Sequence, residues 1–194
     1  AGGIGDAGVE KRKKYVANGG KLVCFDDSCE LAIKRFDLPV RNVVAGMRRS
    51  EFYNPGSIVK LSVDTLHPLA RGMLEATPAY FTSSSAFEVG VTPSAAKPAA
   101  DTSNPPDSAT SITPKRITHL VVARYAQRDA LMSGWMLGEK YINDTEALIE
   151  VGYGKGKIVM FAFRPQHRGQ TWGTFPFIFN SLENQGDESK TAVR

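Results

Sequence analysis

The chain has 194 residues, 42% of them apolar and 23% charged, enough to build one globular domain with a sizeable core. Its 24 basic and 20 acidic residues leave a formal charge of +4, too small an excess to imply a nucleic-acid partner. No apolar run approaches the ~20 residues that span a bilayer, and two cysteines cannot make a disulfide framework or a zinc cage.

The opening Ala1-Gly2-Gly3-Ile4-Gly5 has no basic or apolar signal-peptide region and no initiator Met, which points to a processed or truncated chain. Asp6 is placed to cap a first helix with Val9, Val16 and Ala17 on one face, and Gly19-Gly20 to stop it. Lys21 to Phe25 reads as a strand buried on both faces. A helix from about Ser28 to Arg35 follows, with Asp27 and Glu30 spaced as a capping box. Pro39 ends that stretch, and Val43-Val44 suggests a short strand. Ile58 to Val63 alternates like a half-buried strand, while Tyr80-Phe81 and Phe87 to Val91 suggest two more.

Thr92 to Pro114 differs in kind. Eighteen of its 23 residues are Pro, Ser, Thr or Ala, so it cannot bury enough surface to offset its ordering entropy. It reads as an excursion from the domain. Ile117 to Tyr125 is a strong strand, and Ala147 to Tyr153 and Lys157 to Phe163 form a hairpin about Gly154-Lys155-Gly156. A closing helix spans about Thr171 to Leu182, with Phe175, Ile178, Phe179 and Leu182 expected inward, before a frayed tail at 185–194. The pattern predicts an α/β fold: an open, mostly parallel sheet flanked by helices, with an antiparallel hairpin near the C-terminus.

Three chemistries can be weighed. His67, His119 and His167 lie about fifty residues apart, in no H-x-x-E or H-E-x-x-H spacing, so no metal site is expected. Gly152 to Gly156 is followed by a strand rather than a helix, which favours a hairpin turn over a phosphate loop. Cys29 lies near a strand-to-helix turn, where a nucleophilic cysteine would sit. Its flanks are wrong for an elbow, with Asp27 and Leu31 where glycines are usual, and Asp27 and Glu30 oppose thiolate formation.

The run from Gly2 to Gly5 through Val16-Ala17-Asn18-Gly19-Gly20-Lys21-Leu22-Val23 resembles the class I glutamine amidotransferase-like fold. More particularly, it is similar to the C-terminal domain of large bacterial zinc carboxypeptidase-like proteins. His67-Pro68-Leu69-Ala70-Arg71-Gly72-Met73, Ser133-Gly134-Trp135-Met136-Leu137-Gly138-Glu139 and Phe163 to Thr171 carry the same resemblance. It implies a flavodoxin-like domain over residues 1–184, interrupted at 92–114 and lacking its first strands. It also implies an upstream peptidase domain that would hold the zinc, with no cofactor in this chain. The expected partner is that peptidase domain or another subunit, with no nucleic acid and no membrane, and the parents that the resemblance suggests are exported proteins.

Active amidotransferases of this fold place His-Pro-Glu after a late strand, as base and orienter. The matching residues here are Arg164-Pro165-Gln166, and neither Arg nor Gln can take those roles. The resemblance therefore implies a non-catalytic accessory domain. The alternative is a cysteine-dependent amidase or amidotransferase using Cys29 and His167. Arg164, His167 and Arg168 follow a strand end and are candidate ligand contacts.

Overall fold

A computed structural model describes residues 4–90 and 117–183. The Thr92 to Pro114 excursion and the 185–194 tail lie outside the described residues. Three α-helices, α1 (Gly5–Ala17), α2 (Asp27–Arg35) and α3 (Phe175–Glu183), accompany a nine-stranded sheet. The strands are β1 (Lys21–Phe25), β2 (Val40–Asn42), β3 (Ser57–Val63), β4 (Ala76–Phe81), β5 (Phe87–Val89), β6 (Ile117–Tyr125), β7 (Leu131–Gly134), β8 (Glu146–Tyr153) and β9 (Gly156–Phe161). The main path runs β1-β9-β8-β6-β3-β4, with β2, β5 and β7 paired to its side.

The mixed α/β architecture matches expectation, but the sheet is not mostly parallel. Among the described strand pairings only β1 with β9 is parallel. Connectivity accounts for part of this: the two-residue turn between β8 and β9 imposes antiparallel pairing, whereas a parallel pair such as β1 with β9 needs a long crossover. β2 lies at Val40–Asn42, just before the Val43-Val44 pair that suggested it.

β1 forms as expected but lies at the end of the described sheet, so Cys24 alone among its residues is fully buried. The strands buried almost throughout are β8 and β9, β8 having β6 and β9 on its flanks and β9 lying between β8 and β1. Side chains alternate faces along a strand. Lys21, paired with Lys157 and through it with Gly152, thus points opposite to Tyr153. The Lys21 Nζ donates to the Ser181 carbonyl at the end of α3 (2.8 Å), while Tyr153 meets the Phe36 ring just after α2. α2 and α3 therefore cover opposite faces.

The helix starts use other devices than the sequence suggested. Ile4 holds the N-cap position of α1 with no side-chain cap, and Asp6, inside the helix, pairs with Arg35 of α2. Asp26 is the N-cap of α2, again without a side-chain cap, and Glu30 pairs with Lys34 (3.2 Å) rather than closing a capping box. Val9 and Val16 are the buried positions of α1.

The largest departure is α3. Its buried residues are Phe177, Asn180 and Ser181, whereas Phe179 and Leu182, expected inward, are exposed. Asn180 explains the rotation. Its Nδ2 donates to the carbonyls of Leu69 (3.0 Å) and Arg71 (2.9 Å), satisfying a turn that no strand reaches.

The β8–β9 turn, Gly154-Lys155, locks onto the end of α1: Lys155 N–H donates to Ala17 O (2.9 Å). Gly156 leaves no room for a side chain, since a Cβ would lie 2.1 Å from Val16 O and 2.2 Å from Gly20 O. Gly156→Ala should therefore cost about 3 kcal/mol or more of stability by urea unfolding, as overpacking against fixed backbone does. A loss below about 0.5 kcal/mol, the range of an unconstrained surface site, would show that this contact can yield.

Candidate functional site

The parallel pairing of β1 and β9 sets Phe25 beside Phe161, so both strands end together. That arrangement places the residues following each strand at the carboxyl end of this one parallel pair, the position where parallel α/β sheets carry ligands. Asp26 follows β1, and Arg164 follows β9 by three residues.

Asp26 is the whole connection between β1 and α2. Its backbone sits at φ 51°, ψ −125°, a region that L-residues rarely occupy and that costs of order 1–3 kcal/mol. The neighbourhood holds it there. Asp26 N–H donates to Phe161 O (3.1 Å), and Cys29 N–H to Asp26 O (2.9 Å). Ser28 ties back to β1, accepting from Phe25 N–H (2.7 Å) and donating to Phe25 O (2.6 Å).

The sharp, strained turn between strand and helix is therefore present, and Asp26, not Cys29, occupies it. Cys29 lies within the first turn of α2, fully buried, its thiol donating to Phe161 O (3.4 Å). Burial raises its pKa well above the ordinary thiol value, with Cys24 and Asp26 adding to the effect. Cys24 is likewise pushed up to about 11, chiefly by burial. An activated nucleophile needs the opposite shift.

Arg164 Nε donates to Asp26 Oδ2, forming an ion pair, and the Arg164 backbone N–H donates to Tyr80 O (3.2 Å). Asp26 Oδ1 is buried without a hydrogen bond. The Ser84 hydroxyl donates to Thr82 O (3.2 Å) instead, although it lies close enough to favour the ionised form. Burial nonetheless raises the Asp26 pKa, outweighing Arg164. Removing a carboxylate from water costs more here than one guanidinium returns.

The three residues after β9 proposed as ligand contacts do not act together. Arg164 is engaged by Asp26, His167 stacks on Tyr80 with ring centres 4.1 Å apart, and Arg168 is exposed at φ 51°. Thr171 and Thr174 brace this segment through Pro165 O (2.8 and 2.7 Å). His67 accepts from Leu69 N–H through Nδ1 (3.2 Å), and burial lowers its pKa. His119 lies on the exposed first half of β6. Among the described residues no three His, Cys, Asp or Glu side chains gather as a metal site.

Sequence reasoning missed Asp26 because it looked for a nucleophile by residue type. The available signal was length: a strand and a helix separated by one residue force that residue into a sharp turn.

No family profile and no curated protein matches the chain. Among solved structures, a β-galactosidase from Bacillus circulans sp. alkalophilus is similar at 14% identity and a TM-score of 0.50. The match covers 93% of this chain but 21% of that one, so the fold recurs as one part of a much longer protein. A ThuA-like protein from Bacteroides uniformis aligns at 12% identity and a TM-score of 0.47, over 94% of this chain and 64% of its own.

The raised pKa of Asp26 fixes the sign of a pH effect. Stability that this carboxyl contributes is complete below its ordinary value of 3.8 and is lost as pH rises through the folded value. In urea unfolding from about pH 3.5 to about pH 7, the wild type should lose ground to Asp26→Asn as pH rises. The reverse slope would mean that Arg164 outweighs burial.

Proposed function

We propose that this chain is a non-catalytic accessory module built on an amidotransferase-like fold, its former catalytic dyad replaced by a structural ion pair. The observation that supports this most is the Asp26–Arg164 contact. A strained strand-to-helix turn and a segment following a parallel neighbour strand meet there, as nucleophile and base would. The groups that meet are a carboxylate and a guanidinium, and a guanidinium cannot accept a proton near neutral pH. The strain persists without the chemistry it would serve. The recurrence of the fold as part of a longer β-galactosidase supports the idea of a module, at the level of fold alone.

The competing reading, a cysteine amidase using Cys29 and His167, needs both groups free to react. Cys29 is bonded to Phe161 O inside the core, and His167 is stacked on Tyr80. The purified protein should release no more ammonia from L-glutamine than its Asp26→Ala and Cys29→Ala variants do. Iodoacetamide should label Cys29 more slowly than a free thiol at neutral pH and at the ordinary rate in urea. Rapid native labelling that disappears in His167→Ala would establish the enzyme reading instead.

The parent protein is, on this proposal, carboxypeptidase-like, a reading carried by the sequence motifs His67 to Met73, Ser133 to Glu139 and Phe163 to Thr171. The reading frame preceding Ala1 should then encode an H-x-x-E zinc motif. A complete frame without one would sink the parentage while leaving the accessory role of the fold open.

A further inference from the structure

The outward face of α3 is more apolar than the face it buries. Trp172 is 75% exposed, Phe179 56% and Leu182 55%, while Asn180 and Ser181 point into the molecule. Phe175, half-buried, shares the outward arc and meets Phe179 edge-on at 6.3 Å. Phe175, Phe179 and Leu182 fall on one stripe at 100° per residue, and Trp172, in the 3-10 turn Trp172–Thr174 that leads into α3, lies three residues before Phe175 and so over it. Side chains of this kind carry roughly 150–250 Å² each, so the exposed fractions amount to about 400 Å² of apolar surface. A patch of that size matches the largest on a typical monomer, which often serves association.

We propose that this stripe pairs, antiparallel and about a two-fold axis, with the same stripe of a second copy of this chain. Two features select a second copy over a dissimilar partner. The spacing 172, 175, 179, 182 reads the same in both directions. Reversal therefore sets Trp172 against Leu182 and Phe175 against Phe179, each contact occurring twice, as an isologous interface requires. The charges are placed to match: Arg168 is exposed beyond one end of the stripe and Glu183 beyond the other. The two-fold brings each Arg168 towards the partner's Glu183, so among the described residues opposite charges approach at both ends. Trp172 is prepared for contact, its Nε1–H donating to Gly169 O (2.6 Å), which limits what it loses on binding.

The patch is smaller than the ~800 Å² per partner of a standard interface, so the dimer should be weak, dissociating in the micromolar range. This inference does not depend on the Asp26–Arg164 reading and would survive its failure.

Sedimentation equilibrium across a concentration series should show reversible dimers. Phe179→Asp should remain monomeric with an unchanged circular dichroism spectrum, because the site is exposed. Arg168→Glu should weaken the dimer at least several-fold, and adding Glu183→Arg should restore it. Mild oxidation of mixed Trp172→Cys and Leu182→Cys proteins should crosslink the mixture far more than either protein alone, since Cys24 and Cys29 are buried. The proposal is overturned by a monomer at every concentration, by a Phe179→Asp dimer, or by self-crosslinking of Trp172→Cys.

Discussion

The arrangement of this molecule turns on one parallel contact. β9 pairs antiparallel with β8 through a two-residue turn, and on its other edge it accepts β1 from more than a hundred residues earlier. That contact makes two strands end at the same edge of the sheet. The Phe161 carbonyl then receives both the Asp26 N–H and the Cys29 thiol, so the end of β9 holds the start of α2 in place. Without the pairing, Asp26 and Arg164 would have no reason to meet.

The cost of that meeting gives it meaning. Asp26 carries an unfavourable backbone conformation, a buried oxygen with no hydrogen bond, and a carboxyl that burial makes harder to ionise. Each is a local penalty, and one guanidinium contact does not cancel them. Folds keep such turns where chemistry once required them, or where surrounding structure leaves no other path. The first account is the one the proposed accessory role adopts. Cys29, the cysteine that follows the turn, is directed into the core, where its thiol donates to Phe161 O.

Parts of this were legible from the sequence and parts were not, for separable reasons. Strand and helix positions near Lys21 to Arg35 and the Gly154 turn follow from local periodicity and glycine placement, which act over a few residues. The face of α3 does not. Periodicity favoured burying Phe179 and Leu182, but Asn180 is held by two carbonyls of a turn over a hundred residues away, and satisfying those groups rotated the helix. Sheet direction failed similarly, because a helix–strand–helix start suggested parallel crossovers, whereas β3, β4, β6, β7 and β8 pair antiparallel with partners that the local pattern does not specify.

Sequence alone determined that Arg164 and Gln166 cannot serve as a base and its anionic orienter, because those limits belong to the side chains themselves. It did not determine which residue occupies the strained turn. That was decided by tertiary structure, because the register of β1 against β9 and the start of α2 together leave one residue between strand and helix. That residue is Asp26. The outward apolar face of α3 was likewise decided only in three dimensions, since burial depends on which distant polar groups a helix must satisfy as well as on its own pattern.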